Sequence, residues 1–248
     1  MPAEPAGARA DASRRCATLL EFLALAVLLT APFRLGAIPA PAWAPGGVPV
    51  LAGLLESAGV LAAALWLTRC GRRWRRPVTL LGARPAVPLA MAAVAVLAFA
   101  LVGANGPGAW TGGVLGITVL IYCAMEESGW RGALHNLLAP WPAFARSLAV
   151  GTAWYVWHLS FLAPDASWAR ELGLLACLVL ASLALDRLAA RTGAVLVVAL
   201  FHLLVNVLAF NALAAALGWP QRLGIVALCL AGWWPLLRAP RPRAGPAL

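Results

Sequence analysis

Apolar residues run through this chain in eight long stretches, with short polar or Pro/Gly-rich breaks between them. The stretches cover about 16–38, 48–69, 86–104, 113–138, 143–163, 171–188, 192–214 and 220–238. Each approaches the roughly 20 mostly apolar residues that a helix needs to cross a bilayer. "PAPAWAPGGVP" follows the first, "GANGPGAWTGG" the third and "APWP" the fourth, as expected of loops. The pattern predicts an all-α fold, a polytopic transmembrane helical bundle of about eight spans. The bundle fills residues 16–238, between an N-terminal tail of 1–15 and a C-terminal tail of 239–248. Neither an internal repeat nor a separate soluble domain stands out.

Composition agrees with the pattern. Of the 248 residues, 62% are hydrophobic and 11% charged, where soluble domains carry about 25% charged residues. The net charge is +10, and all 19 basic residues are arginines. They lie between the apolar runs and near both ends, where membrane topology places them, and this argues against a nucleic-acid partner. Arg14 and Arg15 precede the first span, and "RCGRRWRR" supplies Arg69, Arg72, Arg73, Arg75 and Arg76 between the second and third. Arg146 lies between the fourth and fifth, Arg187 and Arg191 between the sixth and seventh, and Arg238, Arg241 and Arg243 after the eighth. The alternate links hold only Arg34, Arg170 and Arg222. The rich links share one side, so the chain is expected to be multi-pass in the cell membrane with both termini cytoplasmic. A cleaved signal peptide ending near "APAWA" is the other reading of the first span, but its apolar stretch exceeds the usual 7–15 residues or so. The "RRWRR" link could also hold anionic headgroups, although topology accounts for it. The five cysteines are scattered singly, mostly within apolar runs, and read as small core residues.

Against this background the stretch "EESGWRG" at 126–132 is costly. A charged side chain at the centre of a span costs about 2.5–3.5 kcal/mol on insertion scales, and an ionisable group at membrane depth is a functional candidate. Glu127 and Arg131 stand four apart, so on a helix they share a face and can pair. Glu126, turned about 100° away, is left free of that arginine. The plain alternative is that both glutamates reach water near the membrane boundary. Two of the three histidines fall inside other spans, His158 in "AWYVWHLSFL" and His202 in "VVALFHLLVN", with Asn206 on the face of His202. Each alone reads as packing or interhelical glue. Together with Glu126 they avoid desolvation most readily by meeting around a wet cavity. His135, beside "APWP", reads as an interfacial residue.

Glu, two His and Asn around water suit hydrolysis. Glu126 would be the general base for a water held with His158. His202 and Asn206 would donate to the oxyanion of a tetrahedral intermediate, and Glu127–Arg131 would support the helix. The competing mechanism uses His158, His202 and a carboxylate as ligands of a divalent metal such as zinc, without the HExxH spacing that marks many zinc sites. No other cofactor is expected. Ser128 and Ser160 read as small helix residues and not as nucleophiles.

These residues resemble a known family. "EESGWRG" is similar to the EExxxR motif of the CPBP group of intramembrane proteases (CAAX-protease and bacteriocin-processing), "WYVWH" to its second, aromatic-to-histidine motif, and "HLLVN" to its HxxxN motif. The three occur in the family's order, and the resemblance covers about 113–214. It implies an eight-helix intramembrane fold and peptide-bond hydrolysis. It assigns water activation to Glu126 with His158, and oxyanion or metal binding to His202 with Asn206. Trp154 stands where the family usually has phenylalanine, and Ser160 where proline is common. The expected partners are membrane lipid and a peptide or membrane-protein substrate. The site is expected to open towards the cytoplasmic half of the bilayer, on the Arg146 side. The rival functions are a catalytically inactive protein of the same fold, with a bacteriocin-immunity or scaffold role, and a transporter.

Overall fold

Long helices alternate with short connections throughout a computed structural model that describes residues 6–38, 50–69, 77–103, 109–209 and 217–238. They are α1 (Ala6–Arg34), α2 (Val50–Arg69), α3 (Ala86–Val102), α4 (Ala109–Glu127), α5 (Ala143–His158), α6 (Trp168–Thr192), α7 (Val195–Leu208) and α8 (Trp219–Arg238). Among the described residues there is no strand, only an isolated bridge between Thr79 and Ala194. The all-α bundle expected from the sequence is therefore observed. Ala10–Arg34, Leu51–Arg69 and Trp168–Thr192 are long and apolar enough to cross a membrane, and α3 and α7 are shorter apolar helices. Leucines such as Leu28, Leu101 and Leu180 point outward; that much exposed apolar surface fits a lipid-facing perimeter.

Two details depart from the sequence reading. α1 starts at Ala6, ahead of the apolar run, because Asp11 and Arg15 pair one turn apart (2.8 Å) and carry the helix outward. Of the cysteines, Cys16 and Cys177 are exposed and only Cys123 and Cys229 are core residues, while Cys70 lies outside the described residues. Arg72, Arg73, Arg75, Arg76, Arg241 and Arg243 also lie outside them, as does "PAPAWAPGGVP".

The interior has two packed halves. One joins α3, α4, α7 and α8 through Met91, Phe99, Val119, Cys123, Leu203 and Trp233. The other joins α1, α2, α5 and α6 around Trp130, Trp154 and Trp157. The motif segment bridges the seam. α4 does not continue as an α-helix through "SGWRGAL": Ser128–Leu134 is π-helical, followed by a last α turn, His135–Leu137. Such π segments recur at functional sites because they re-aim the side chains around them. Gly129 lets this segment approach α1 and α2, since a Cβ there would sit 2.3 Å from Val60 Cγ1 and 2.9 Å from Phe22 Cζ.

Candidate functional site

α4, α5 and α7 each bring polar side chains to the seam. Glu126 and Glu127 occupy the last α turn before the π segment and are both buried. Arg131 Nη1 donates to Glu127 Oε1 at 3.0 Å, so the pairing expected from the four-residue spacing is made. Arg131 Nη2 also donates to Ser182 Oγ of α6 at 2.9 Å. His202 Nδ1 lies 2.8 Å from the same Glu127 oxygen, within ion-pair distance but without hydrogen-bond alignment. Glu127 is thus tied to two other groups, and His202 is drawn to it rather than to Glu126.

Glu126 is held differently. Its Oε2 accepts a hydrogen bond from the indole N–H of Trp154 at 3.1 Å, and Tyr122 faces it from one turn earlier. Its Oε1 is buried without a hydrogen-bond partner, as is Glu127 Oε2, but Glu126 lacks the arginine ion pair that Glu127 has. His158 closes α5, where Leu159 turns into the left-handed region (φ 53°). The His158 Nδ1 pairs with the Trp154 carbonyl at 2.7 Å. A carbonyl only accepts, so Nδ1 carries the proton and Nε2 of the neutral ring is an acceptor. Asn206 Nδ2 donates to Cys123 Sγ at 3.3 Å, which places the asparagine against α4 one turn from the glutamates.

Trp154 is the hub of the arrangement. Besides bonding Glu126 and His158, its ring stands 5.2 Å from the His202 ring, edge to face, and 4.5 Å below the Arg131 guanidinium carbon. The sequence marked Trp154 only as a large ring in place of another, and its N–H was overlooked. Ser182, Tyr122 and Cys123 gave no signal among their apolar neighbours. Glu56, an in-span carboxylate in "LLESAG", was open to the same argument as Glu126 and was missed.

Two expectations change. His135 is buried and not interfacial: its Nδ1 meets Asp186 Oδ1, and Arg146 grips the same carboxylate from Nη2 at 2.7 Å and from Nε at 2.9 Å. This cluster joins the end of the motif segment to α5 and α6, and Arg15 of α1 bonds the Leu137 carbonyl at the same end. The site does not face that end. His158 and Arg146 lie at opposite ends of α5, about 18 Å apart at 1.5 Å per residue. The polar centre therefore reaches from mid-bundle towards the end where Arg34 and Glu56 lie. Beyond His158, Glu171 ties the following loop to α6 by accepting from Ser160 Oγ and from Tyr155 Oη. In that loop the Arg170 hydrogen bond holds the exposed Asp165 carboxyl below its ordinary pKa.

Among the described residues no three His, Cys, Asp or Glu side chains gather closely enough to hold an ion. The Nδ1 atoms of His158 and His202 each face a protein oxygen, an arrangement that orients a ring and leaves its Nε2 as the outward nitrogen.

Fold and site together define a membrane-embedded helical protein with a buried carboxylate–imidazole centre. Residues 108–208 match the family model described as Rce1-like, type II CAAX prenyl endopeptidase, which is a model of the CPBP/CAAX protease family. The matched stretch contains Glu126, Glu127, Arg131, His158, His202 and Asn206, and the match supports a protease. No curated protein and no solved structure matches the chain.

Proposed function

We propose that this protein is an intramembrane endopeptidase that hydrolyses a peptide bond with a water activated by Glu126. The observation that carries the reading is the state of that carboxylate: Oε2 is held by Trp154 and Oε1 is buried and unpartnered, and, unlike the similarly divided Glu127, it is not paired with Arg131. A buried polar atom left unpaired costs about 1–3 kcal/mol, more if charged, and a water or substrate atom at Oε1 removes that cost.

In the proposed reaction Oε1 takes a proton from the water as its oxygen attacks the scissile carbonyl carbon. The Nε2 acceptor of His158 orients the water through its other hydrogen. Asn206 spends one amide hydrogen on Cys123 and has a second for the developing oxyanion, with the His202 ring on the same helix face. Collapse of the tetrahedral intermediate breaks the C–N bond, and the proton held on Glu126 passes to the leaving amine. Glu127, Arg131 and Ser182 keep α4 and α6 in register. The chain's own residues supply every step.

The substrate we propose is a peptide or membrane protein that reaches the site within the bilayer; the matching family's description names a CAAX prenyl endopeptidase. The arginine distribution supports a multi-pass arrangement in the cell membrane with both termini cytoplasmic. The test is cleavage of a mixed peptide library by the detergent-purified protein, with Glu126→Gln and His158→Ala beside wild type. Fragments made by wild type and by neither variant, and still made after chelation, are expected. Cleavage by Glu126→Gln removes Glu126 as the base, and loss on chelation followed by recovery with zinc replaces the metal-free mechanism. A wild type that assembles but cuts nothing favours the inactive scaffold.

A further inference from the structure

The family match begins at residue 108, yet the last turn of α5, which carries His158, is gripped by the two helices that precede it. Arg34, the final residue of α1, donates from Nη1 to the carbonyl of Trp157 at 3.1 Å, and its guanidinium carbon lies 4.0 Å over the Trp157 ring. Trp157 Nε1 donates to Thr30 Oγ1, one helical turn before Arg34, at 3.0 Å. Thr30 in turn donates to the Glu56 carbonyl at 2.8 Å. The Glu56 carboxylate accepts from Arg34 Nε at 3.0 Å and from Nη2 at 2.6 Å. The residue adjoining His158 is therefore held by its carbonyl, its ring face and its ring nitrogen at once.

The grip falls where α5 needs it. Carbonyls of a final helical turn have no partner within the helix, and Leu159 leaves the helix in a left-handed conformation immediately after His158. Without outside contacts this turn would fray and the imidazole would wander. Thr30 and Trp157 are fully buried, whereas Arg34 and Glu56 are half-buried at the end of the bundle. The guanidinium is also near enough to act electrostatically on both His158 and Glu126.

We propose that Arg34, supported by Glu56 and Thr30, is a positioning residue for His158, so that the N-terminal helical hairpin is a working part of the site. The inference rests on the endopeptidase reading above. Arg34 touches neither water nor substrate in this scheme; it fixes the turn that aims the histidine. A displacement of about 1 Å in a reacting group can cost about 10²-fold in rate.

The experiment uses the full-length protein in detergent and a peptide that wild type cleaves, with Glu126→Gln assayed beside it. Arg34→Ala is expected to lower kcat roughly tenfold or more with KM little changed, and tens of millimolar guanidinium ion is expected to restore part of the loss. Thr30→Val keeps the volume and the ion pair but removes the acceptor for Trp157 Nε1; it is expected to lower kcat several-fold in the same sense. It decides the matter alone if Arg34→Ala does not assemble. Wild-type kcat in both variants, or a loss confined to KM, overturns the role of Arg34 and leaves the endopeptidase reading standing. Cleavage by Glu126→Gln strikes at that reading instead.

Discussion

Trp154 donates its indole hydrogen to Glu126 across the seam between α5 and α4, at 3.1 Å and with both side chains buried. The bond leaves one carboxylate oxygen committed and the other available, and it fixes which is which. Hydrogen bonds to charged groups contribute about 1.5–3 kcal/mol. Trp154→Phe keeps an aromatic ring against His202 and Arg131 but deletes the donor. Its kcat is expected to fall roughly tenfold or more, while the protein extracts and elutes as wild type. An unchanged kcat shows that Glu126 does not need this bond.

Removing the guanidinium at Arg131 strips Glu127 of its cation while leaving the carboxylate buried beside His202. Breaking a buried ion pair by deleting one partner costs about 3–5 kcal/mol. Arg131→Ala is expected to lower the unfolding temperature in detergent sharply. Ser182→Ala, which removes only one of the arginine's acceptors, is expected to cost about 1 kcal/mol. Similar melting curves for the two variants contradict the central place given to the Glu127 pair.

Asp186 serves the opposite end of the bundle, where it accepts from Arg146 and meets His135. Asp186→Ala leaves two buried basic groups without their common anion. It is expected to lower the unfolding temperature, by about 3–5 kcal/mol of stability, without a large change in kcat per folded molecule. A large fall in kcat at unchanged stability would connect this cluster to the chemistry.

Orientation can be read chemically. If the arginine-rich end is cytoplasmic, the loop after His158 lies on the outer side, since His158 and Arg146 terminate α5 at opposite ends. A cysteine introduced at the exposed Ala166 of a cysteine-free variant is then expected to react with a membrane-impermeant maleimide added to intact cells. Labelling only after permeabilisation reverses the topology and places the site on the cytoplasmic side.

The helices were legible in the chain because apolar runs and Pro/Gly breaks are local signals, and each of the eight runs holds a helix among the described residues. The site residues were legible because a polar group in an apolar run stands out against its neighbours. The partnerships were harder to read. Spacing found Glu127 with Arg131, since both lie on one helix. It could not show that His202 approaches Glu127 rather than Glu126, because that contact depends on the packing of α7 on α4. The π-helical turn was also hidden, as "SGWRGAL" has no periodicity that separates it from an α-helix. Arg34, Arg146 and His135 were read as boundary residues from their places near span ends. Their partners Glu56 and Asp186 sit on other helices, and interhelical pairing leaves no mark in the spacing of either strand of sequence.

The left-handed backbone at Leu159 makes the imidazole of His158 the last side chain of its cylinder. A short 3-10 turn, Ser160–Leu162, follows, and the ring is only half-buried where Glu126, His202 and Asn206 are enclosed. Because the α-helix stops there, a proton acceptor stands at the margin of the enclosed polar centre and not within it.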